Sequence, residues 1–549
     1  MKTQKTSAFL VSLIKPHSVK LAVLSLCNFI TSVTAVFLAL ISKRVIDTAT
    51  GAREGEIINE CLLLGGVVIF QILVLGITNY LASILKIKLD ITLKKRIFSA
   101  FIHKNYKDAS AYHSGEIINR LTSDSDAVVI GVAEIIPSAI SIFTRLLASL
   151  VLIIYFSWYF AAAVLVIGGA FSILFRIIGK RYKALHKKSQ AASGEVRSFM
   201  QESVQNLVVV KTYDERFPVE ERLSDLIKKE YRLRHKKTIL SVLAHIGINL
   251  IFSGGYYIAL GWGAVQVAAT ALTFGDLTAF LQLISHVRAP FMSISGILTK
   301  YYSCIASAER LIELEGLEND ENKGDLERCE FENILIDKVT FSYENECVIE
   351  EGSAEIKAGE ITTFVGGSGA GKSTVFKLLL ALYNADKGEV RFNLKNGESV
   401  PASAATRRLF TYVPQGNFIL SGTVKENISF FNRDIDDDTV FAAAKAAEIY
   451  DDIMAQPDGF DTLIGERGHG FSEGQIQRIA IARALLFDSP ILLLDECTSA
   501  LDEETERKIL ENIQELKSKT VIFITHRPKA VEISDSVFRI ADKKITKEK

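Results

Sequence analysis

About six apolar stretches, each roughly 20 residues long, fill the first half of the chain and constrain its fold more than any other feature. A helix of that length crosses a bilayer. The alternative, buried helices of a large soluble protein, would rarely give so many long runs this poor in charge. We therefore predict membrane spans at Leu21–Ile41, Leu62–Leu85, Ile135–Phe156, Trp158–Ile178, Ile239–Trp262 and Leu277–Leu298.

Basic residues concentrate in the connections that follow the second and fourth stretches. The first connection carries them between Lys86 and Lys107, and the second within Lys180–Lys188 and again within Lys228–Lys237. By the positive-inside rule, these segments and both termini are predicted to be cytoplasmic, in a bacterial-type cell membrane. One observation counts slightly against this orientation, because the connection after the first stretch holds Lys43, Arg44 and Arg53.

Charge inside a membrane span is costly and is usually paired or functional, and four basic side chains within the predicted spans are candidate pathway residues. Arg145 lies near the middle of the third span, and the other three are in the last two spans: His245, His286 and Arg288. One interpretation is a polar translocation pathway for an anionic or zwitterionic substrate. The other is that these groups pair internally or extend to the membrane interface.

The second half of the chain contains a glycine-rich loop with the pattern G-x-x-x-x-G-K-[ST]. An apolar run ends at Phe364–Val365 before it, and a helical pattern follows. Backbone amides of such a loop bind phosphate oxygens, the lysine reaches the β- and γ-phosphates, and the serine hydroxyl binds Mg²⁺. The predicted ATP-binding residues of the loop are Gly366, Gly367, Ser368, Gly369, Ala370, Gly371, Lys372, Ser373 and Thr374.

Other residues suited to phosphate chemistry follow apolar, strand-like runs. Tyr343 could stack on adenine, and Gln415 stands where it could contact Mg²⁺ or the attacking water. Asp495 could hold Mg²⁺, while Glu496 could polarise water for attack on the γ-phosphate. His526 could reach that phosphate from another strand end. Strands are predicted at Ile334–Val339, Glu360–Val365, Val390–Leu394, Leu409–Val413, Ile491–Leu494 and Thr520–Ile524, alternating in the later part with helices, which indicates an α/β domain.

A second anion site is predicted at Phe471–Gln475, where a serine and a glycine precede a helix. With these residues the chain resembles the ABC transporter family. Its signature, usually L-S-G-G-Q, stands here with Glu473 in place of the first glycine. The resemblance implies that Ser472, Gly474 and Gln475 contact the γ-phosphate of an ATP held by a second chain, because P-loop and signature lie on opposite faces of the domain.

The order of the motifs is similar to that of an exporter-type half-transporter. The implied fold is an all-α membrane domain of six helices with long cytoplasmic extensions, fused to an α/β P-loop NTPase domain of ABC type. We expect a transmembrane domain over residues 1–314, a linker over 315–332 and a nucleotide-binding domain over 333–549. The expected activity is ATP-driven export of a small molecule, peptide or lipid, with ATP and Mg²⁺ as cofactors.

The two long cytoplasmic connections would be coupling segments in that family. Either they dock on the ATPase or they are solvated surface turns. The candidate residues are Ser114, Gly115 and Glu116 in the first connection and Tyr213, Asp214 and Glu215 in the second.

One P-loop and one signature per chain imply a dimer. A second copy of the chain is favoured, because Glu496 and His526 are both present; a related half-transporter is the alternative, and Glu473 is its main support.

Several other function classes can be weighed from the sequence. A net charge of −1 gives no electrostatic indication of nucleic-acid binding. A soluble ABC ATPase that acts on DNA or ribosomes should not carry six spans. An exporter-fold importer of siderophore-like cargo, or an ABC-type channel or channel regulator, would share both halves of the chain. The six cysteines are scattered without a C-x-x-C pair, which argues against a disulfide framework or a cysteine metal site.

Overall fold

The computed structural model describes residues 2–156, 158–212, 216–320, 330–344, 346–416, 418–465, 470–516 and 519–549. The chain forms two compact units. The first comprises residues 1–99 and 115–315, and the second comprises residues 100–114 and 316–549. A short piece of the connection after the second predicted span therefore belongs to the same unit as the ATPase motifs. The predicted coupling residues Tyr213, Asp214 and Glu215 lie outside the described residues.

Long helices make up the first unit, and each of the six predicted spans lies within one of them. Among the described residues, four helical stretches are long and apolar enough to cross a membrane: Gln4–Ala49, Ile57–Ile102, Ser114–Phe156 and Phe217–Ala268. The helices up to the linker are α1 (Lys2–Ile14), α2 (Ser18–Ala49), α3 (Ile57–Ile102), α4 (Tyr106–Ser110), α5 (Ser114–Asn119), α6 (Ser125–Phe156), α7 (Trp158–Gln205), α8 (Leu207–Thr212), α9 (Arg216–Ala268) and α10 (Phe274–Glu315).

Helices α2, α6 and α10 pack against one another. Ser32 of α2 and Ser141 of α6 share a hydrogen bond of 2.7 Å. Gly131 brings α6 close to α10, because a Cβ at this position would overlap the Sγ of Cys304. At the other end of α2, Lys43 pairs with Asp276 of α10 at 2.6 Å. Lys43, one of the three basic residues that counted against the predicted orientation, is therefore neutralised by a neighbouring helix.

The second unit contains a six-stranded and a four-stranded sheet. Its strands are β1 (Phe331–Tyr343), β2 (Glu346–Lys357), β3 (Ile361–Gly366), β4 (Lys387–Leu394), β5 (Ser399–Pro401), β6 (Phe410–Val413), β7 (Gly422–Thr423), β8 (Leu463–Ile464), β9 (Ile491–Asp495), β10 (Thr520–Ile524), β11 (Ser536–Ala541) and β12 (Lys544–Lys547). Its remaining helices are α11 (Lys372–Leu379), α12 (Val424–Ile428), α13 (Asp437–Ala446), α14 (Tyr450–Met454), α15 (Glu473–Leu486), α16 (Glu503–Gln514) and α17 (Pro528–Glu532).

The larger sheet has the order β12-β11-β3-β10-β9-β6, and all its pairs are parallel except β11 with β12. Strands β9 and β10 are buried along their whole length, as parallel strands covered on both faces are expected to be. Antiparallel β2-β1-β4-β5 forms the smaller sheet. Every strand predicted from the sequence is present. Six strands are additions that the apolar pattern did not indicate: β2, β5, β7, β8, β11 and β12.

Candidate functional site

The phosphate-chemistry residues follow neighbouring parallel strands and therefore meet at one edge of the larger sheet. In the register of the sheet, Ile524 of β10 lies opposite both Phe364 of β3 and Asp495 of β9. Val413 of β6 lies opposite Leu494 of β9. Carboxyl ends of parallel strands form the usual ligand-binding edge of an open α/β sheet. The P-loop, Gln415, Glu496 and His526 all emerge from that edge.

Glycine shapes the loop between β3 and α11. Gly369 and Gly371 have φ angles of 78° and 102°, a region that other residues enter only with strain. A Cβ on Gly371 would also lie 2.7 Å from Cγ1 of Val348. Gly371 is the N-cap residue of α11, and no side chain caps this helix. The helix N-terminus, with its partial positive charge, therefore faces the loop as an anion site.

Lys372 is almost fully buried in the same loop. Its Nζ donates to the carbonyl oxygens of Gly366 and Gly367, both at 2.9 Å. The same nitrogen lies 3.0 Å from Nε2 of His526. The two loop carbonyl oxygens thus hold the ammonium group where a phosphate oxygen would compete for it. Lys372 and His526 are already in contact in this conformation of the backbone.

Glu496 lies between two other predicted catalytic residues. Gln415 donates through Nε2 to Glu496 Oε2 at 2.5 Å, and His526 Nε2 lies 3.4 Å from Oε1. The backbone of Glu496 has φ 48°, which is strained for a residue with a side chain, and its amide donates to Ile524 at 2.9 Å. Strain of this kind clusters at functional sites. The neighbouring strand therefore fixes the direction of the carboxylate.

Asp495 is buried at the end of β9, and its Oδ1 has no hydrogen-bond partner within the described part of the chain. Burial raises the pKa of Asp495, and the charge of Glu496 acts in the same direction; a hydrogen bond from Ser373 opposes this shift. Magnesium prefers oxygen ligands such as carboxylates and hydroxyls. A buried carboxylate oxygen without a partner beside a serine hydroxyl therefore fits the predicted cation site.

Tyr343 ends β1 and is held by α11. Its hydroxyl accepts from Lys377 Nζ at 3.2 Å and lies 3.3 Å from Oγ1 of Thr374. The ring packs edge-on against Phe341 and Tyr383, with centroids 4.9 and 5.4 Å apart. These contacts fix an aromatic ring beside the P-loop helix, as stacking on adenine would require.

The signature residues begin helix α15 with a capping box. Ser472 Oγ accepts from the amide of Gln475 at 3.3 Å, and Gln475 Oε1 accepts from the amide of Ser472 at 2.9 Å. Gly474 packs closely, since a Cβ there would lie 3.0 Å from the carbonyl oxygen of Ala500. Glu473 is exposed in the first turn, where a negative charge interacts favourably with the helix dipole.

Family models match both halves of the chain. The ABC transporter transmembrane region matches residues 21–291, and the ABC transporter model matches residues 349–499. The chain belongs to the ABC transporter family. The computed structure resembles that of a bacterial Atm1-family ABC exporter with ATP bound, with a TM-score of 0.79, 22% identity and coverage of 97% of this chain and 95% of the other.

Two similar curated proteins extend along nearly the whole of this ABC transporter. An ATP-dependent lipid A-core flippase of Vibrio vulnificus (strain CMCP6) is 27% identical over 98% of this chain and 94% of its own length. The serine protease/ABC transporter B family protein tagA of Dictyostelium discoideum is 27% identical over 98% of this chain and 31% of its own length. The chain is thus an integral membrane half-transporter of exporter type, which binds ATP and couples its hydrolysis to transport.

The predicted coupling residues of the first connection fall on both sides of a unit boundary. Ser114 is the last residue that groups with the ATPase, whereas Gly115 and Glu116 group with the membrane helices. Glu116 pairs with Arg120 at 2.7 Å. Their coupling role stays a prediction. Upstream of Ser114, within the ATPase unit, the ring of Tyr106 lies 5.9 Å from that of Tyr383.

The structure brings some of the pathway candidates of this ABC transporter together. Arg145 of α6 and His286 of α10 interact electrostatically, and His286 also hydrogen-bonds to the backbone of Ala35. Arg145 Nε is buried without a hydrogen-bond partner among the described residues. Arg288 donates to Asn249 of α9 at 2.5 Å. His245 lies one turn away from that asparagine and is exposed.

Sequence reasoning missed the residues that hold the loop after β9. Gln477 is 5% exposed; it donates to Ser499 Oγ at 3.1 Å and accepts from the amide of Ala500 at 3.1 Å. Arg527 donates to the carbonyl oxygen of Ser499 at 2.8 Å. A glutamine on the buried face of a helix needs polar partners, and that signal could have identified Gln477. Arg527 follows His526 directly, and no pattern in the sequence marks its partners.

Proposed function

We propose that this transporter moves a lipid with an anionic headgroup outward across the membrane. The observation that carries the proposal is the Nε of Arg145 in α6, which is buried without a hydrogen-bond partner among the described residues and whose charge acts on His286 of α10. A buried guanidinium nitrogen inside a membrane span requires an acceptor. The names of the relatives, which include a lipid A-core flippase, agree with a lipid that carries phosphate.

The test uses the full chain in nanodiscs, with lipid A or phosphatidylcholine added and ATP hydrolysis measured. We expect lipid A to stimulate hydrolysis severalfold and the neutral lipid to have little effect. The double variant Arg145→Gln/Arg288→Gln should lose the stimulation while retaining the basal rate. Arg53→Gln is the control, because Arg53 is exposed and pairs with Glu60 at 3.4 Å. Equal stimulation in the double variant would contradict an anionic substrate.

We also propose that two copies of the chain share two ATP sites. In each site the P-loop of one copy would face Ser472, Gly474 and Gln475 of the other. Helix α8 supports pairing, because its apolar side chains are exposed and Val208 is 78% exposed; the ATPase unit of the second copy is the surface proposed to cover it. The chain purified alone should be an active dimer. An inactive monomer would favour a heterodimer in which a related half-transporter is the partner.

At each site, the residues of this chain have distinct proposed roles. Glu496 accepts a proton from the attacking water, and Gln415 and His526 orient that carboxylate and the γ-phosphate. Tyr343 would stack on adenine. Asp495, Ser373 and Gln415 would hold Mg²⁺, which neutralises phosphate charge when bound. Closure of the two ATPase units then moves the coupling segments, and the membrane helices open outward.

The proposed orientation places the ATPase unit and both termini in the cytoplasm. Its support is the basic charge of the segments that follow the second and fourth predicted spans. On the side proposed to be outside, two basic residues are paired, Lys43 with Asp276 and Arg53 with Glu60. Labelling in intact bacterial cells with a membrane-impermeant thiol reagent tests it. A cysteine introduced at Lys95 should react only after the cells are opened, and one at Gly51 should react before.

A further inference from the structure

The residues that follow α10 do not simply connect two domains. Residues Gly316–Asp320, here named the strap, run beside His103–Asn105 of the first cytoplasmic connection, within the ATPase unit. The amide of Asn105 donates to Glu318 at 2.8 Å, and the amide of Asp320 donates to His103 at 3.1 Å. Lys104 and Asn319 form an antiparallel bridge between these two hydrogen bonds. Two segments that are distant in sequence thus form a small ladder.

Lys104 fixes the strap further. Its side chain is 7% exposed, and its Nζ donates to the carbonyl oxygen of Leu317 and to Oδ1 of Asn319, both at 2.8 Å. A buried ammonium group is costly without acceptors. Moving the strap away would remove acceptors that Lys104 needs, so the strap and the coupling segment are expected to move together.

Asp320 ties the strap to the P-loop helix through Arg407. The guanidinium of Arg407 donates twice to the carboxylate of Asp320, at 2.5 and 3.1 Å. It also donates to Leu380 O at 2.8 Å and to Ala381 O at 2.7 Å. These carbonyl groups follow the last turn of α11, where a helix leaves acceptors unpaired. Arg407 therefore joins the C-terminal end of α11 to the strap.

The opposite end of α11 is the phosphate site, because the helix begins at Lys372. Its eight residues span about 12 Å. We propose that the Asp320–Arg407 pair fastens the coupling segment to the C-terminal end of the P-loop helix, so that displacement of this helix by nucleotide is transmitted to the segment. The inference rests on the proposed function, since it assumes ATP-driven movement.

A second set of contacts attaches helix α4, which lies in the same connection, directly to Tyr383. The Tyr106 ring meets Tyr383 edge-on at 5.9 Å, and Ser110 Oγ lies 3.4 Å from the hydroxyl of Tyr383. Tyr383 follows α11 closely in sequence. Loss of the Asp320–Arg407 pair should therefore loosen the strap and weaken transmission without detaching α4.

Asp320→Asn tests the pair in the full chain in nanodiscs. Hydrogen–deuterium exchange is followed at residues 103–105 and 317–320, and in α3 and α10, with and without ATP. We expect the two strands of the ladder to exchange at least about fivefold faster in the variant, because a charge-assisted bidentate bond is lost. Basal hydrolysis should stay within about twofold, and the ATP-induced change in α3 and α10 should be at least halved.

Two further variants make the result decisive. Glu330→Gln removes the same charge from an exposed pair with Lys395 at 2.7 Å and should behave like the wild type. Asp320→Glu keeps the carboxylate and should restore slow exchange, even if Asp320→Asn folds poorly. Wild-type exchange in Asp320→Asn, or equal effects in Glu330→Gln, would overturn the inference. A wild-type protein without hydrolysis or an ATP-induced change would instead contradict the proposed function.

Discussion

Replacing Asp495 by asparagine should stabilise the ATPase unit and abolish its activity. Asp495 is buried, its Oδ1 has no partner among the described residues, and burial together with Glu496 raises its pKa despite hydrogen bonds from Ser373 and Tyr412. The raised pKa means that the fold disfavours the charged form. Asparagine resembles the neutral acid in shape, so the substitution removes the electrostatic cost without creating a cavity.

The magnitude follows from the cost of a buried, incompletely satisfied polar group, about 1 to 3 kcal/mol. In a unit of this size, 1 kcal/mol changes the melting temperature by about 2–4 °C. We therefore expect Asp495→Asn to raise the Tm of the ATPase transition by about 2 to 12 °C at pH 7.5. Loss of the Mg²⁺ ligand should at the same time reduce ATP hydrolysis by at least about 100-fold.

The stability difference between Asp495→Asn and the wild type should depend on pH. Between the ordinary aspartate pKa of 3.8 and the raised value in the fold, the native state binds more protons than the unfolded state. Stability of the wild type therefore falls as pH rises through that interval, and the cost is absent below it. The advantage of Asp495→Asn should be full at pH 7.5 and should disappear at about pH 4.

Differential scanning fluorimetry of the full chain in nanodiscs, without nucleotide, measures the Tm of the wild type and of the variant at both pH values. Asp488→Asn is a matched control, since Asp488 is exposed beside Lys519. Mg²⁺ and ATP should stabilise the wild type more than the variant, because only the wild type keeps the carboxylate. A lower Tm for Asp495→Asn at pH 7.5, or an advantage that persists at pH 4, would refute the electrostatic explanation.

Three further substitutions test the ATP site. Glu496→Gln should lower turnover by about 10²–10⁴-fold, the usual contribution of a general base, while ATP still binds; full hydrolysis would exclude that role. Gly371→Ala should weaken ATP binding by about tenfold or more, because φ 102° and the contact with Val348 distort the loop; unchanged titration calorimetry would contradict this. Tyr343→Ala should raise KM for ATP about 2- to 10-fold with kcat little changed, and a wild-type KM would argue against stacking on adenine.

The ATPase fold could be predicted from sequence where one strand carries a continuous apolar run. Ile491–Asp495 and Thr520–Ile524 are wholly buried, and both were predicted within a residue. Strand β2 was not predicted, because it alternates buried and exposed residues and includes Gly352 and several glutamates. Its position depends on pairing with β1, which is a long-range contact that local pattern does not record.

The phosphate residues were also predictable, because each follows a strand end and the parallel sheet brings strand ends together. Coupling residues obey no such local rule. Ser114, Gly115 and Glu116 were predicted from the turn, and their role stays a prediction. The sequence did not indicate Lys104 and Tyr106, which contact Leu317, Asn319 and Tyr383. A buried lysine in a basic segment looks like any solvated lysine until its acceptors, more than 200 residues away in sequence, are known.

The two ends of α11 also differ in how far they could be predicted from the sequence. At its N-terminus, glycine, lysine and serine are adjacent in sequence, because the phosphate they hold is contacted by consecutive backbone amides. At its C-terminus, Arg407 and Asp320 are 87 residues apart. A motif is thus sufficient to predict where ATP binds, whereas the proposed transmission of its binding depends on pairs that only the tertiary fold creates. Substitutions at Asp320 should for that reason separate hydrolysis from movement, whereas substitutions in the P-loop should abolish both.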